Sequence, residues 1–153
     1  MYSSRTFAAC LTFLIALSLP TVGIAQSKVP VLLETTFGDD TVGQQVGFEL
    51  KEAIRGSQSF RLIAGEGVWP RITIIMVSTS SAPSSGPSSI SYSFLYDSLK
   101  MPMRGAFVTS TVQICSRQNA QGCARAILAN IDDALERLSR NAPDLRKTFG
   151  TSP

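Results

Sequence analysis

The chain has 153 residues, 44% of them hydrophobic, with 14 basic residues, 11 acidic residues and no histidine. Neither sign of charge forms a long block, so the net charge of +3 gives no electrostatic case for binding nucleic acid or an anionic membrane surface. Histidine, the usual base for a serine nucleophile, is absent. We therefore expect a domain without a cofactor or metal and favour a non-enzymatic protein.

Residues 1–25 have the pattern of a secretory signal peptide. An apolar run from Phe7 to Leu19 follows a positively charged start, and a proline and a glycine then break it. Gly23 and Ala25 supply the small side chains expected at the −3 and −1 positions of a cut before Gln26. This pattern predicts export to the periplasm or to the outside of the cell.

Two other uses of the same segment are less well supported. The apolar run is too short to span about 30 Å of hydrocarbon, and too few apolar residues precede Cys10 for lipoprotein processing there. After cleavage, no transmembrane segment is expected. Residues 26–145 are then predicted to form a single domain, and residues 146–153 a flexible tail.

A strand and a helix are predicted first in the mature chain. The run Val29–Phe37 is rich in apolar and β-branched residues and reads as a strand. Helical spacing of apolar residues follows from Val42 to Arg55. Asp39, Asp40 or Thr41 can cap this helix by accepting a hydrogen bond from its first free N–H groups.

The predicted helix has two unusual features. Gly43 and Gly47 lie one turn apart beside the apolar stripe, which we interpret as a means for the helix to approach a sheet closely. Phe48 projects opposite the stripe, where it can contact a partner or be covered by another part of the chain. Trp69, further along, is a second candidate for partner contact.

The remaining elements are four strands and a helix. The strands are Ser59–Gly65, Trp69–Ser78, Ser89–Ser98 and Ala106–Cys115, of which the last three read as an antiparallel meander. The final helix runs from about Gln121 to Asn141. Alternation in the last strand assigns its side chains to two faces, Val108, Val112 and Ile114 on one and Thr109, Thr111 and Gln113 on the other.

Cys115 and Cys123 are the only cysteines beyond the predicted signal peptide. In an oxidising compartment such a pair forms a disulfide bond, here between the end of the last strand and the start of the last helix. A structural zinc site needs about four cysteine or histidine ligands. A redox-active pair usually has the C-x-x-C spacing, whereas seven residues intervene here. A structural bridge is therefore expected.

The element order β-α-β-β-β-β-α over residues 29–140 predicts an α+β fold, a mostly antiparallel five-stranded sheet with two helices packed on one face. This order resembles that of the N-terminal domain of TolB. The stretch VGQQVGFELKEAIRGSQSFRL also resembles a helix–strand segment of small exported bacterial proteins without assigned function. The resemblance implies an envelope or secreted protein that works by contact, and it brings no catalytic residues.

Three functional hypotheses follow. The first is an exported, non-enzymatic binding or accessory domain of the cell envelope, whose partner is another envelope protein. The second is a hydrolase that uses paired carboxylates, with Glu34, Asp39, Asp40 and Asp97 as the available acids. The third is a secreted inhibitor or effector. The serine-rich loop Ser78–Ser89 is not expected to supply a nucleophile, because no base accompanies it.

Overall fold

The computed structural model describes residues 27–65, 67–80, 86–98 and 105–141. The predicted signal peptide and tail, and the middle of the serine-rich loop, lie outside these ranges. The described residues form five strands and two helices: β1 (Val29–Thr36), α1 (Thr41–Gly56), β2 (Phe60–Ile63), β3 (Arg71–Ser80), β4 (Ser88–Asp97), β5 (Ala106–Cys115) and α2 (Ala120–Asn141). A single 3-10 turn, Arg117–Asn119, leads into α2. The predicted element order is confirmed.

The sheet is mixed, with the strand order β2-β1-β3-β4-β5. The expectation of a mostly antiparallel sheet is wrong for β1, which pairs in parallel with both β2 and β3. The antiparallel meander of β3, β4 and β5 is confirmed. Strand β3 lies at the centre of the sheet.

The short connection between β2 and β3 explains this difference. Antiparallel neighbours are often joined by short links, whereas parallel strands usually need a long crossover. Here β2 has only four residues, so its last residue, Ile63, lies level with Leu32 of β1. Strand β3 begins pairing at Ile72, level with Val31. The link from β2 to β3 therefore has only to pass the end of β1. It can be short although β2 and β3 are parallel, because it does not return along the length of the strands.

Both helices cover the same face of the sheet, which we call the inner face, as predicted. Their apolar stripes and the inner side chains of the strands form one core, which includes Val46, Leu50, Ile74, Phe94 and Ile127, each at most 2% exposed. Burial of these side chains is the main favourable contribution to folding. Within the described ranges, no helix has the length and apolar character needed to cross a membrane.

Gly43 and Gly47 of α1 allow the close approach that the sequence predicted. A Cβ atom on Gly43 would overlap the side chain of Ser78 on β3. One on Gly47 would lie 2.9 Å from Cζ of Phe37, the residue that follows β1. The helix therefore packs against the sheet at a distance that leaves no space for a larger side chain at either position.

Candidate functional site

The start of α1 is held by a buried carboxylate. Asp40 is the N-cap, and its Oδ1 accepts hydrogen bonds from the backbone N–H of Val42 at 3.0 Å and from Oγ of Ser88 at 2.8 Å. Ser88 is fully buried at the start of β4. The cap therefore ties the helix to a strand that is 48 residues away in the sequence.

Opposing effects set the pKa of Asp40. Burial raises the pKa, while the nearby hydroxyl of Ser78, the hydroxyl of Ser88 and the first N–H groups of α1 stabilise the charged form. The stabilising contacts prevail, so the pKa of Asp40 lies below the ordinary value for an aspartate. The carboxylate is consequently ionised at neutral pH and cannot serve there as a proton donor.

An open cavity of about 320 Å³ lies beside this cap, at the carboxyl ends of the neighbouring parallel strands β1 and β3. It is lined by Phe37, Asp39, Asp40 and residues 78–80. Ligands of open α/β sheets often bind at such an edge. Here, however, the Asp40 side chain is buried, and its Oδ1 is engaged in capping the helix. The arrangement fits a structural anchor better than a reactive group.

The other acids considered for a hydrolase lie elsewhere. Asp97 is on the outer face, the one opposite the helices, and its Oδ2 accepts hydrogen bonds from Nε of Arg71 at 3.1 Å and from Oγ1 of Thr73 at 2.7 Å. All three residues are buried. The guanidinium carbon of Arg71 also lies 4.4 Å from the ring centroid of Trp69. Glu34 is exposed on β1. Of the four acids, Asp39 and Asp40 line the same described cavity.

The outer face of the sheet carries exposed apolar side chains near β5. Val77 on β3 is 41% exposed, Phe107 and Val112 on β5 are each 65% exposed, and Ile114 is 73% exposed. Both helices pack on the other side of the sheet. Among the described residues, no helix or strand covers this part of the outer face.

Val77, Val112 and Ile114 border a row of small side chains on β4, Ser89, Ser91 and Ser93, which we call the serine groove, whereas Phe107 lies opposite Leu95 further along the sheet. Ser91 is opposite Val77 on one side and Val112 on the other. Ser89 is likewise opposite Thr79 and Ile114. Larger side chains on β3 and β5 therefore flank Ser89 and Ser91, while Ser93 has Ile75 on one side and Ser110 on the other, and the row forms a shallow, uncharged depression.

Alternation alone did not indicate which face of β5 is covered. Thr109, Thr111 and Gln113 lie on the inner face, and Nε2 of Gln113 donates a hydrogen bond of 3.2 Å to the carbonyl of Cys123 on α2. Val112 and Ile114 point outward. Pairing skips Val108, because Phe94 pairs with Thr109 whereas Leu95 pairs with Phe107. This bulge moves Phe107 to the outer face.

Cys115 and Cys123 are joined by a disulfide bond, with their Cα atoms 6.2 Å apart. This bond, together with the Gln113 hydrogen bond, fixes the end of β5 to the first turn of α2. Phe48 is 59% exposed on α1, on the helix side of the sheet. Trp69 instead stacks on Arg71, so the structure does not bring these two candidate contact residues together. Their role in partner contact stays a prediction.

Sequence reasoning missed the outer surface around β5. The sequence did contain an indication of this surface, because β5 has ten residues without a charge or a proline. It also missed the Arg71–Asp97 pair, because its members are 26 residues apart. Among the described residues, no group of three or more acidic, cysteine or histidine side chains is placed to hold a metal ion.

Comparisons with known proteins give similarity of fold only. No protein-family profile matches the chain, and no curated protein matches it. The hypothetical protein CT253 from Chlamydia trachomatis is 9% identical, with a TM-score of 0.50 over 70% of this chain and 98% of that one. At this identity the likeness shows the fold alone.

Two further structures are less similar. A PelC dodecamer from Paraburkholderia phytofirmans is 13% identical, with a TM-score of 0.43 over 72% of this chain and 90% of that one. A candidate lipoprotein from Caulobacter crescentus is 14% identical, with a TM-score of 0.37 over 71% and 91%. Proteins without an assigned function are thus among the structural neighbours, as the sequence resemblance implied. The likeness to TolB stays a prediction.

Proposed function

We propose that the chain is an exported, non-enzymatic binding or accessory domain of the bacterial cell envelope, which contacts its partner through the serine groove and the apolar side chains beside it. The observation that carries this proposal is the exposure of Val77, Phe107, Val112 and Ile114 on one uncovered surface. Monomeric soluble proteins seldom leave such side chains clustered, and clusters of this kind mark interaction sites.

The chemistry of the surface favours a protein partner. Strands β4 and β5 contain no lysine or arginine, and their outward positions carry serine or apolar side chains, except for Asp97 at the end of β4, which is paired with Arg71. A phosphate-rich ligand would need basic groups there. The groove instead fits an uncharged apolar ridge, such as one stripe of a helix or one side of a strand.

The carboxylates give little support to the hydrolase alternative. A glycosidase of this type needs one carboxyl group that stays protonated and a second, ionised one beside it. The pKa of Asp40 is shifted in the direction opposite to that of a proton donor. Asp97 is paired with Arg71 on the outer face of the sheet, whereas Asp40 caps a helix on the inner face. The inhibitor or effector alternative has no observation in its favour among the described residues.

Export is the part of the proposal that depends on sequence alone. It predicts that the mature protein begins at Gln26, which intact-mass measurement on protein from the envelope fraction can check. A mass that retains residues 1–25 would mean that the segment is kept, and the proposed localisation would then have to be abandoned.

The contact surface can be tested by site-specific photo-crosslinking in cells. A photoreactive residue at Ser93, in the groove, should give adducts to a different protein, whereas one at the exposed Arg125 of α2 should not. Adding Val77→Lys should remove the Ser93 adduct, because the charge would lie beside the groove. Equal adducts from both positions, or an adduct that tolerates the lysine, would contradict the proposed surface.

A further inference from the structure

Strand β5 forms one edge of the sheet and leaves a row of backbone groups on its free side. It pairs with β4 alone, and no other strand within the described ranges lies beside it. Such a row of N–H and C=O groups is a template for a further strand. Only a partner with an extended backbone can form hydrogen bonds with these groups. An apolar surface alone would accept partners of many conformations.

The two edges of the sheet differ in their protection. The opposite edge strand, β2, has four residues and carries the exposed Arg61. Short length and charge are common means of preventing edge-to-edge pairing. Strand β5 has ten residues without a charge or a proline. Its outward side chains Val112 and Ile114 are largely exposed, so the unprotected edge is also the apolar one.

The bulge defines how much of β5 can pair. With Val108 skipped, the regular part of the strand runs from Thr109 to Cys115, opposite Phe94 to Ser88. Val112 is the midpoint of this segment. An antiparallel partner with the same sequence would therefore pair over its full regular length if the symmetry axis passed through Val112.

We propose that a second copy of this chain pairs with the first along β5, antiparallel, about a two-fold axis at Val112. In this register Val112 faces its own copy, and Ile114 faces Ser110. Directly opposite side chains have Cβ atoms about 4.5–5.5 Å apart, and diagonal neighbours are about 7–8 Å apart. The two valines and the two isoleucines therefore form one apolar cluster on the outer face.

Self-complementarity favours a second copy over another strand. A strand that faces itself places like charges near each other wherever it carries one, and β5 carries none. On the inner face, Thr111 would face Gln113, and these side chains can hydrogen bond. Pairing would join the two sheets into one of ten strands, with the two serine grooves on the same surface. The dimer depends on the backbone edge of β5, whereas the proposed envelope contact depends on the side chains of the outer face; Val112 and Ile114 contribute to both.

Variants that place a charge at Val112 test the position of the proposed two-fold axis. Sedimentation analysis of the protein purified as the cell makes it, with its disulfide intact, should show a dimer. Val112→Lys and Val112→Glu, studied separately, should each weaken the dimer by about tenfold or more, because like charges then face each other at the axis. An equimolar mixture of the two variants should restore a dimer of mixed composition. Val77→Lys, on the same face but away from the edge, should leave dimerisation unchanged.

Three outcomes would overturn the inference: a wild-type monomer, a mixture that stays monomeric, or a Val77→Lys variant as impaired as the Val112 variants. Circular dichroism before sedimentation confirms folding of each variant, and exposure of Val112 makes it tolerant of substitution. A monomer that still forms the Ser93 adduct would refute the dimer and leave the proposed function standing.

Discussion

Replacement of Asp40 tests whether the start of α1 is held by one buried carboxylate. Asp40→Ala removes an N-cap, which costs about 1 kcal/mol in typical helices. It also leaves the fully buried hydroxyl of Ser88 without its acceptor, which adds about 1–3 kcal/mol. The free energy of unfolding should therefore fall by about 2–4 kcal/mol. Asp39→Ala is the matched control, since Asp39 is exposed, and it should cost less than about 0.5 kcal/mol.

Urea unfolding followed by the fluorescence of Trp69, the single tryptophan, provides the measurement. A double-mutant cycle with Ser88→Ala separates the bond between the two side chains from the cap itself. The two changes should be non-additive, because either one removes the same 2.8 Å hydrogen bond. Additive effects, or an Asp40→Ala variant as stable as Asp39→Ala, would refute the described role of the carboxylate.

The lowered pKa of Asp40 gives the same experiment a pH dependence. A group whose pKa is lower in the folded than in the unfolded protein stabilises the fold at pH values above its unfolded pKa. This contribution is lost as the pH falls through the ordinary aspartate range towards the lowered value. Asp40→Asn keeps a side chain that can cap and loses the charge. The wild-type advantage over Asp40→Asn should therefore be present at pH 7 and shrink below about pH 4.

Three further predictions concern the core, the disulfide and the buried ion pair. Ile74→Ala should lower the free energy of unfolding by about 2–5 kcal/mol in urea, because the side chain is fully buried; a loss below 1 kcal/mol would contradict its place in the core. Replacing Cys115 and Cys123 by alanine should cost about 2–3 kcal/mol, and a reductant should then have no further effect on the melting curve. Asp97→Ala should cost about 3–5 kcal/mol because it leaves the buried Arg71 unpaired, whereas adding Arg71→Met to that variant should recover part of the loss in the same unfolding assay.

Local sequence determined the order and type of the elements and the limits of some of them, but not those of β2, which is Phe60–Ile63 rather than the predicted Ser59–Gly65. The predicted helix Val42–Arg55 and the observed α1, Thr41–Gly56, agree within one residue at each end, and the predicted Ala106–Cys115 is β5 itself. The hydrophobic periodicities of helices and strands are properties of consecutive residues, so they can be identified without knowing the fold. The sequence limited the cap to Asp39, Asp40 or Thr41, and the structure identifies Asp40.

Relations between distant segments were decided by the tertiary structure. The parallel pairing of β1 with β3 depends on where the short β2 ends, and this cannot be read within either strand. Alternation divides β5 into two faces but does not say which one the helices cover. Here Gln113 points toward α2 and donates a hydrogen bond to the carbonyl of Cys123, Val112 and Ile114 point the other way, and the bulge at Val108 changes the phase of the strand. The exposed surface near β5 results from packing, because a side chain is buried only when another element, placed by the whole chain, lies against it.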